Sequence, residues 1–158
     1  MSWTNHRRLL SGVIGTQSSL ALIVLDASAA VDVLLNFQPN AIRVGERIKQ
    51  EDLGDPRENL HVPHLFGVEV LHALRRLTLT GYVSETRGSR AVNAMLSMRL
   101  TRYPHEPFVG RIWELKQNIS AYDAAYIALA ETLDAPLITT DKRLAQASAH
   151  EARIELYG

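Results

Sequence analysis

The chain alternates short, continuous apolar runs with longer stretches of helical period. Residues 21–25 (Ala-Leu-Ile-Val-Leu) are apolar without alternation, the pattern of a strand covered on both faces in a parallel sheet. Asp26 follows at once, and residues 28–35 then carry helical character as far as Asn36 and Pro39. A second helix is predicted over about residues 41–50, and residues 51–59, with Gly54, Asp55 and Pro56, read as a loop. Leu60, His61 and Val62 form a short strand closed by Pro63. Leu65, Val68, Leu71, His72 and Leu77 then fall at helical spacing, with Glu69 beside the stripe. Gly81 ends that helix and Ser84 opens another, running to about residue 97.

Residues 98–105 are read as a short strand and loop around Pro104, and Phe108, Ile112 and Leu115 mark a helix. Ser120 caps the next one, over residues 121–132, with Tyr122, Ala125, Tyr126 and Leu129 on its apolar spacing and an exit loop at residues 134–136. Leu137, Ile138, Thr139 and Thr140 make another short strand, delivered straight into Asp141. Residues 142–149 are read as helical and residues 154–156 as an edge strand. Strands alternating with helices predict one α/β domain with a mostly parallel central sheet flanked by helices. Residues 1–20 are read as a flexible lead-in: Arg7 and Arg8 precede Leu9 and Leu10, but no apolar run of signal-peptide length follows. No stretch approaches the roughly 20 apolar residues of a membrane span, so a cytoplasmic protein without membrane contact is expected.

Composition narrows the chemistry. The 158 residues suit one domain and include no Cys, which excludes disulfides, thiolate metal sites and a Cys nucleophile. Seventeen basic residues balance seventeen acidic ones, so no global positive field draws the chain to nucleic acid and any such contact needs a local patch. Fourteen of the bases are Arg, the better phosphate fork. No glycine-rich phosphate loop is present, which argues against a nucleotide cofactor.

In open α/β sheets functional groups collect at the carboxyl ends of the strands. Asp26 and Asp141 are each placed there by a separate strand-to-helix handover. Either could serve only as a helix N-cap; if their strands are neighbours, both face one crevice. Ser120-Ala-Tyr-Asp123 also matches a capping box, and Glu69 could pair with Arg75 or Arg76. As a set, carboxylates within about 4–6 Å of one another resist ionisation unless a cation sits among them, and hard oxygen donors select Mg²⁺ or Mn²⁺. Asp32, about 240° round the helix from Asp26, is read as structural. His61, His64 and His72 lack a fixed ligand geometry and are read as surface or partly buried residues, and Trp113, Tyr122 and Tyr126 as helix packing.

Four segments carry a resemblance. They are Val24-Leu-Asp26-Ala-Ser28-Ala, the run from Val62 to Leu74 that holds Glu69, the run from Asn118 to Glu131 that holds Asp123 and Tyr126, and Leu137-Ile-Thr-Thr-Asp141-Lys-Arg-Leu144. In order and spacing these resemble the successive motifs of PIN-domain ribonucleases, most of all VapC toxins of VapBC toxin–antitoxin pairs, over about residues 22–157. The resemblance implies a PIN-like nuclease domain over residues 21–158 in which Asp26, Glu69, Asp123 and Asp141 bind Mg²⁺ or Mn²⁺ and hydrolyse RNA phosphodiesters. It implies that the products carry a 5′-phosphate and a 3′-hydroxyl. Ser28 and Thr139 occupy the family's hydroxyl positions, though both could equally bond the local backbone. Lys142 and Arg143, and more weakly Arg75 and Arg76, are candidates for substrate phosphates. A VapB-type antitoxin lying across the pocket and a homodimer are the implied partners. With four acids gathered in one site, thirteen remain against seventeen bases elsewhere. Two other readings stand beside this one: an aspartyl-phosphate protein (receiver-like or a phosphatase) using Asp26, and a non-catalytic binding module. The dehalogenase-like phosphatase motif wants a second Asp two residues on, where this chain has Ser28.

Overall fold

The computed structural model describes residues 22–50 and 60–158. The lead-in over residues 1–20, residue 21 of the expected first strand and the loop over residues 51–59 therefore lie outside the described residues. Strand β1 (Ile23–Leu25) is followed by helices α1 (Ala27–Leu34) and α2 (Asn40–Gln50), and β2 (Leu60–Pro63) by α3 (Phe66–Leu79) and α4 (Glu85–Leu96). Strand β3 (Thr101–Tyr103) leads through a 3₁₀ turn (Glu106–Phe108) into α5 (Val109–Glu114) and α6 (Ala121–Leu133). Strand β4 (Leu137–Thr139), α7 (Lys142–Ala145) and β5 (Ile154–Leu156) complete the chain.

The five strands form one sheet in the order β3-β2-β1-β4-β5, and every pairing is parallel. The apolar runs explain this: β1 and β4 are buried along their whole length, as strands covered on both faces must be. The chain first builds outward from β1 through β2 to β3, then returns to the other side of β1 with β4. The reversal falls between β1 and β4, where Val24 pairs with Leu137 and Leu25 with Ile138. Such a switch point opens a crevice at the carboxyl ends of the two central strands. Both Asp26 and Asp141 stand at that edge.

Three helices depart from their sequence reading. Helix α3 buries Phe66, Val70 and Leu74, whereas Val68 is 71% exposed and Leu71 43% exposed. The helix carries apolar residues on more than one face, so the pattern gives its period but not its phase; Phe66, the first residue after the β2 turn, sets the phase. Helix α6 is buried on every side from Ala124 to Thr132, because its alanines let it approach β1, β2 and β4 closely while α5 covers its back. Of the three aromatic residues read as helix packing only Tyr126 is buried; Trp113 and Tyr122 are 69% and 64% exposed. Helix α7 stops at Ala145 rather than continuing to residue 149. Tertiary hydrogen bonds claim the following segment: Glu151 N–H donates to the Glu131 carboxylate at 2.9 Å, and the Ala149 carbonyl accepts from Arg111 at 3.3 Å.

Candidate active site

Each of the four acids sits at the start of a helix. Asp26 is the N-cap of α1 and Asp141 the N-cap of α7, accepting from the backbone N–H of Ser28 (3.3 Å) and Arg143 (2.7 Å) respectively. Glu69 lies in the first turn of α3 and Asp123 in the first turn of α6. The capping and functional readings of these residues are therefore not alternatives. The sheet edge that gathers the strand ends also gathers the helix starts, and all four carboxylates line a single cavity of about 480 Å³.

Asp26 is held most tightly. It is 6% exposed, and its Oδ2 accepts from the hydroxyls of Ser28 and of Thr139 (2.8 Å) besides the Ser28 amide. Both hydroxyls are themselves fixed by backbone donors, Thr140 N–H to Ser28 Oγ at 3.0 Å and Asp141 N–H to Thr139 Oγ1 at 3.0 Å. The two hydroxyl oxygens also lie 3.1 Å from each other, so Ser28, Thr139 and Asp26 form one hydrogen-bonded cluster. Ser28 and Thr139 thus work as positioning residues for this carboxylate across the β1–β4 seam.

Burial pushes the Asp26 carboxyl above its usual range, the hydrogen bonds from Ser28 and Thr139 oppose this, and the charge of Asp123 adds to it. Glu69 is pushed up to about 6, first by burial and then by the charges of Asp26 and Asp123, against the hydrogen bond that Tyr126 donates to its Oε2 at 2.6 Å. Asp123 accepts from the Ser120 hydroxyl at 2.8 Å while its own amide donates back to Ser120 Oγ at 3.1 Å, a local variant of the capping box. Asp141 behaves differently: burial works upward, but the Arg143 amide and guanidinium outweigh it and hold the carboxyl below its ordinary value. Three acids repel one another here, and the fourth is already compensated.

An all-oxygen donor set of this kind is the chemistry that selects Mg²⁺ or Mn²⁺. Among the described residues, no three His, Asp or Glu side chains converge closely enough to hold an ion by themselves. Mg²⁺ in general keeps several waters and binds through one or two carboxylates plus substrate phosphates rather than in an all-protein cage. The chemistry of the donor set fits such an ion, while the described side chains do not close a site round it by themselves.

The basic candidates separate. Arg76 and Arg143 line the cavity. Arg75, one residue and about 100° round α3 from Arg76, instead lines a second groove of about 310 Å³ between α3 and α4. Lys142 lines neither cavity. Two residues that contribute to the acidic cavity escaped the sequence reading. Tyr126, which the sequence pattern places in packing, is fully buried behind the cavity wall, one helical turn after Asp123, and reaches Glu69; the i, i+3 spacing is the available signal. Phe37 lines the cavity from the α1–α2 turn, and no local pattern announces it. Asp32, which accepts from Asn40 Nδ2 at 2.8 Å, lines it too. His61 and His64 lie apart: His61 Nδ1 shares a 2.8 Å hydrogen bond with Tyr103, and His64 packs edge-on against His105.

Comparison with known proteins agrees with this geometry. Residues 23–149 match the model of the PIN domain family. The chain is 41% identical over 135 residues to ribonuclease VapC12 of Mycobacterium tuberculosis, covering 85% of this chain and 98% of that one. Ribonucleases VapC9 and VapC1 of the same organism are 42% and 39% identical, over 78% and 84% of this chain and 88% and 96% of theirs. The crystal structure of PAE2754 from Pyrobaculum aerophilum shares the fold, with a TM-score of 0.61 and 24% identity over 88% of this chain and 86% of that one. By the family match over most of its length and by these relatives, the chain belongs to the PIN-domain family, in its VapC-type branch.

Proposed function

We propose that the protein is a Mg²⁺- or Mn²⁺-dependent endoribonuclease, the toxin of a type II toxin–antitoxin pair acting in the cytoplasm. The observation that carries this reading is the gathering of Asp26, Glu69, Asp123 and Asp141 round one cavity at the β1–β4 switch point, in a chain about 40% identical to VapC ribonucleases. When bound, the ion supplies the positive charge that lets these acids ionise together and that stabilises the developing charge on a phosphodiester.

The protein's own groups supply orientation and proton handling. Ser28 and Thr139 hold Asp26 Oδ2, so Oδ1 is assigned as the oxygen that would meet the ion. Tyr126 occupies Glu69 Oε2, and Oε1 is assigned as acceptor of a proton from the attacking water. With the ion present to favour its ionised form, the Glu69 carboxylate is the basic group assigned to that exchange. The water oxygen forms the new bond to phosphorus, the bond to the 3′-oxygen breaks, and that oxygen takes a proton from solvent as Glu69 returns its own to solvent, which gives a 5′-phosphate and a 3′-hydroxyl. Arg76 and Arg143 are assigned to flanking phosphates; Arg75 and Lys142 are set further out. Apolar side chains exposed on α3 (Val68, Leu71, Leu79) and on α5 and α6 (Val109, Trp113, Tyr122) support two further contacts, a homodimer and a VapB-type antitoxin.

The test is cleavage of single-stranded and structured RNA by the purified protein with and without added Mg²⁺ or Mn²⁺. Cutting is expected only with the ion, and Asp26→Asn or Asp123→Asn is expected to abolish it while the circular dichroism spectrum is unchanged. Equal cutting in EDTA, or by the Asp26→Asn protein, would refute the assignment.

A further inference from the structure

A site that handled only a cation and a phosphate would need acids and bases alone, yet one wall of this cavity is apolar. Val31 on α1, Phe37 in the α1–α2 turn, and Ala73 and Leu77 on α3 line it together with the four carboxylates. Among the described lining residues Phe37 and His72 carry rings; Phe37 is the one set in the apolar wall, and it is fixed in place from several sides. Its N–H donates to the Asp32 carbonyl at 2.8 Å, and its own carbonyl accepts from Ala41 N–H at 2.8 Å. Arg87, anchored on the Leu35 carbonyl, lies over the ring with its guanidinium carbon 5.3 Å from the centroid. Tyr82 meets the ring edge-on at 5.9 Å. An aromatic ring held this way loses little freedom when something stacks on it.

We propose that Phe37 is the floor of a nucleobase subsite, on which an unpaired RNA base beside the scissile phosphate stacks. This rests on the nuclease reading of the acidic half of the same cavity. Continuity selects the occupant. A base projecting from a backbone whose phosphate sits among the acids and is flanked by Arg76 has an apolar wall within the same volume of about 480 Å³. That volume lies within the range of roughly 300–1,000 Å³ typical of small-ligand sites. A paired base has both faces covered by its neighbours, so the subsite favours single-stranded RNA. Every base has a π-face, so it sets strandedness and cleavage position rather than a strict sequence.

The test is an RNA–protein mutant cycle on oligoribonucleotides in which one abasic residue is moved through successive positions around the cleaved bond. Cleavage is followed with Mn²⁺, and binding is followed by fluorescence anisotropy with Ca²⁺. Phe37→Leu is expected to lower kcat/KM by about 5- to 150-fold, the range that stacking of one base covers, chiefly through KM. Phe37→Tyr is expected to stay near wild type. At one abasic position the wild type should lose a similar factor, while Phe37→Leu loses nothing more. If Phe37→Leu has no cooperative melting transition, Phe37→Met takes its place. Identical abasic penalties in wild type and variant, or unchanged RNA binding and cleavage, would overturn the subsite and leave the apolar wall to a protein segment, with the nuclease reading intact. A Phe37-dependent abasic penalty on binding without cleavage in any divalent ion would retain the subsite and overturn the nuclease reading. No RNA binding at all would overturn both.

Discussion

Replacing Glu69 with Gln should stabilise the metal-free protein at neutral pH while destroying its response to the ion. Burial, followed by the charges of Asp26 and Asp123, raises the Glu69 carboxyl from 4.5 to about 6. Each unit corresponds to about 1.4 kcal/mol, which gives about 2 kcal/mol; partial exposure of the side chain and solvent screening reduce this to about 1–2 kcal/mol. The sign follows from linkage. A carboxyl whose folded-state value is raised binds protons more strongly when folded, so its contribution is fully present below pH 4.5 and is lost as pH rises through 6. Glu69→Gln removes the titration and retains an acceptor for the Tyr126 hydroxyl. In EDTA, urea unfolding should therefore give equal stabilities at pH 4.5 and a variant more stable by about 1–2 kcal/mol at pH 7.5, or roughly 2–8 °C in melting temperature. Added Mn²⁺ should reverse the order, because the ion binds the folded wild type and stabilises it by mass action. A difference independent of pH, or a variant less stable at pH 7.5 in EDTA, would refute the account of the site as a set of mutually repelling acids.

Two further predictions concern groups outside the cavity. Glu131 is buried and paired with Arg111 through two hydrogen bonds of 2.9 and 2.8 Å, so Arg111→Met takes the cation from a buried carboxylate that keeps the Glu151 amide, and should cost about 3–5 kcal/mol in urea unfolding; adding Glu131→Met should restore much of it. Burial lowers the His61 imidazole to about 4, so the unfolded chain takes up the proton first as pH falls below 6.5. Between pH 7 and pH 4.5 the wild type should lose about 2 kcal/mol more than His61→Asn, and parallel pH profiles of the two would contradict the burial argument.

What the sequence made legible was whatever local pattern determines. The unbroken apolar runs of β1 and β4 indicated parallel strands, and the Asp directly after each run marked the sheet edge; neighbouring strands then brought Asp26 and Asp141 to one crevice. What stayed hidden depends on phase and on distance along the chain. Helix α3 has apolar residues to spare, so its period was readable but its buried face was not. As a result Arg75 and Arg76, adjacent in sequence, open onto different cavities. Tyr126 reaches Glu69 across 57 residues and Thr139 reaches Asp26 across 113, contacts that no window of helical or strand length contains. The early end of α7 has the same origin, since the carboxylate that captures Glu151 N–H belongs to Glu131 in α6.

The placement of all four acids at helix starts bears on why the site can exist before an ion arrives. The amino end of a helix carries partial positive charge, and a carboxylate there gains about 0.3–1 kcal/mol. Asp26, Glu69, Asp123 and Asp141 each occupy such a position, on α1, α3, α6 and α7. For Asp141, partly exposed and joined to Arg143, local compensation is sufficient and its carboxyl is held low. For Glu69 it is not: the penalty of about 2 kcal/mol from burial and two neighbouring charges exceeds what a helix terminus returns. The deficit falls on Glu69 and Asp26 rather than being spread over the set. Those are also the two acids whose orientation is fixed by hydroxyl donors, Tyr126 on one and Ser28 with Thr139 on the other. Uncompensated charge and fixed geometry coincide at the same two side chains, so under the proposed metal-dependent reading these are the two acids whose ionisation a bound cation would favour most.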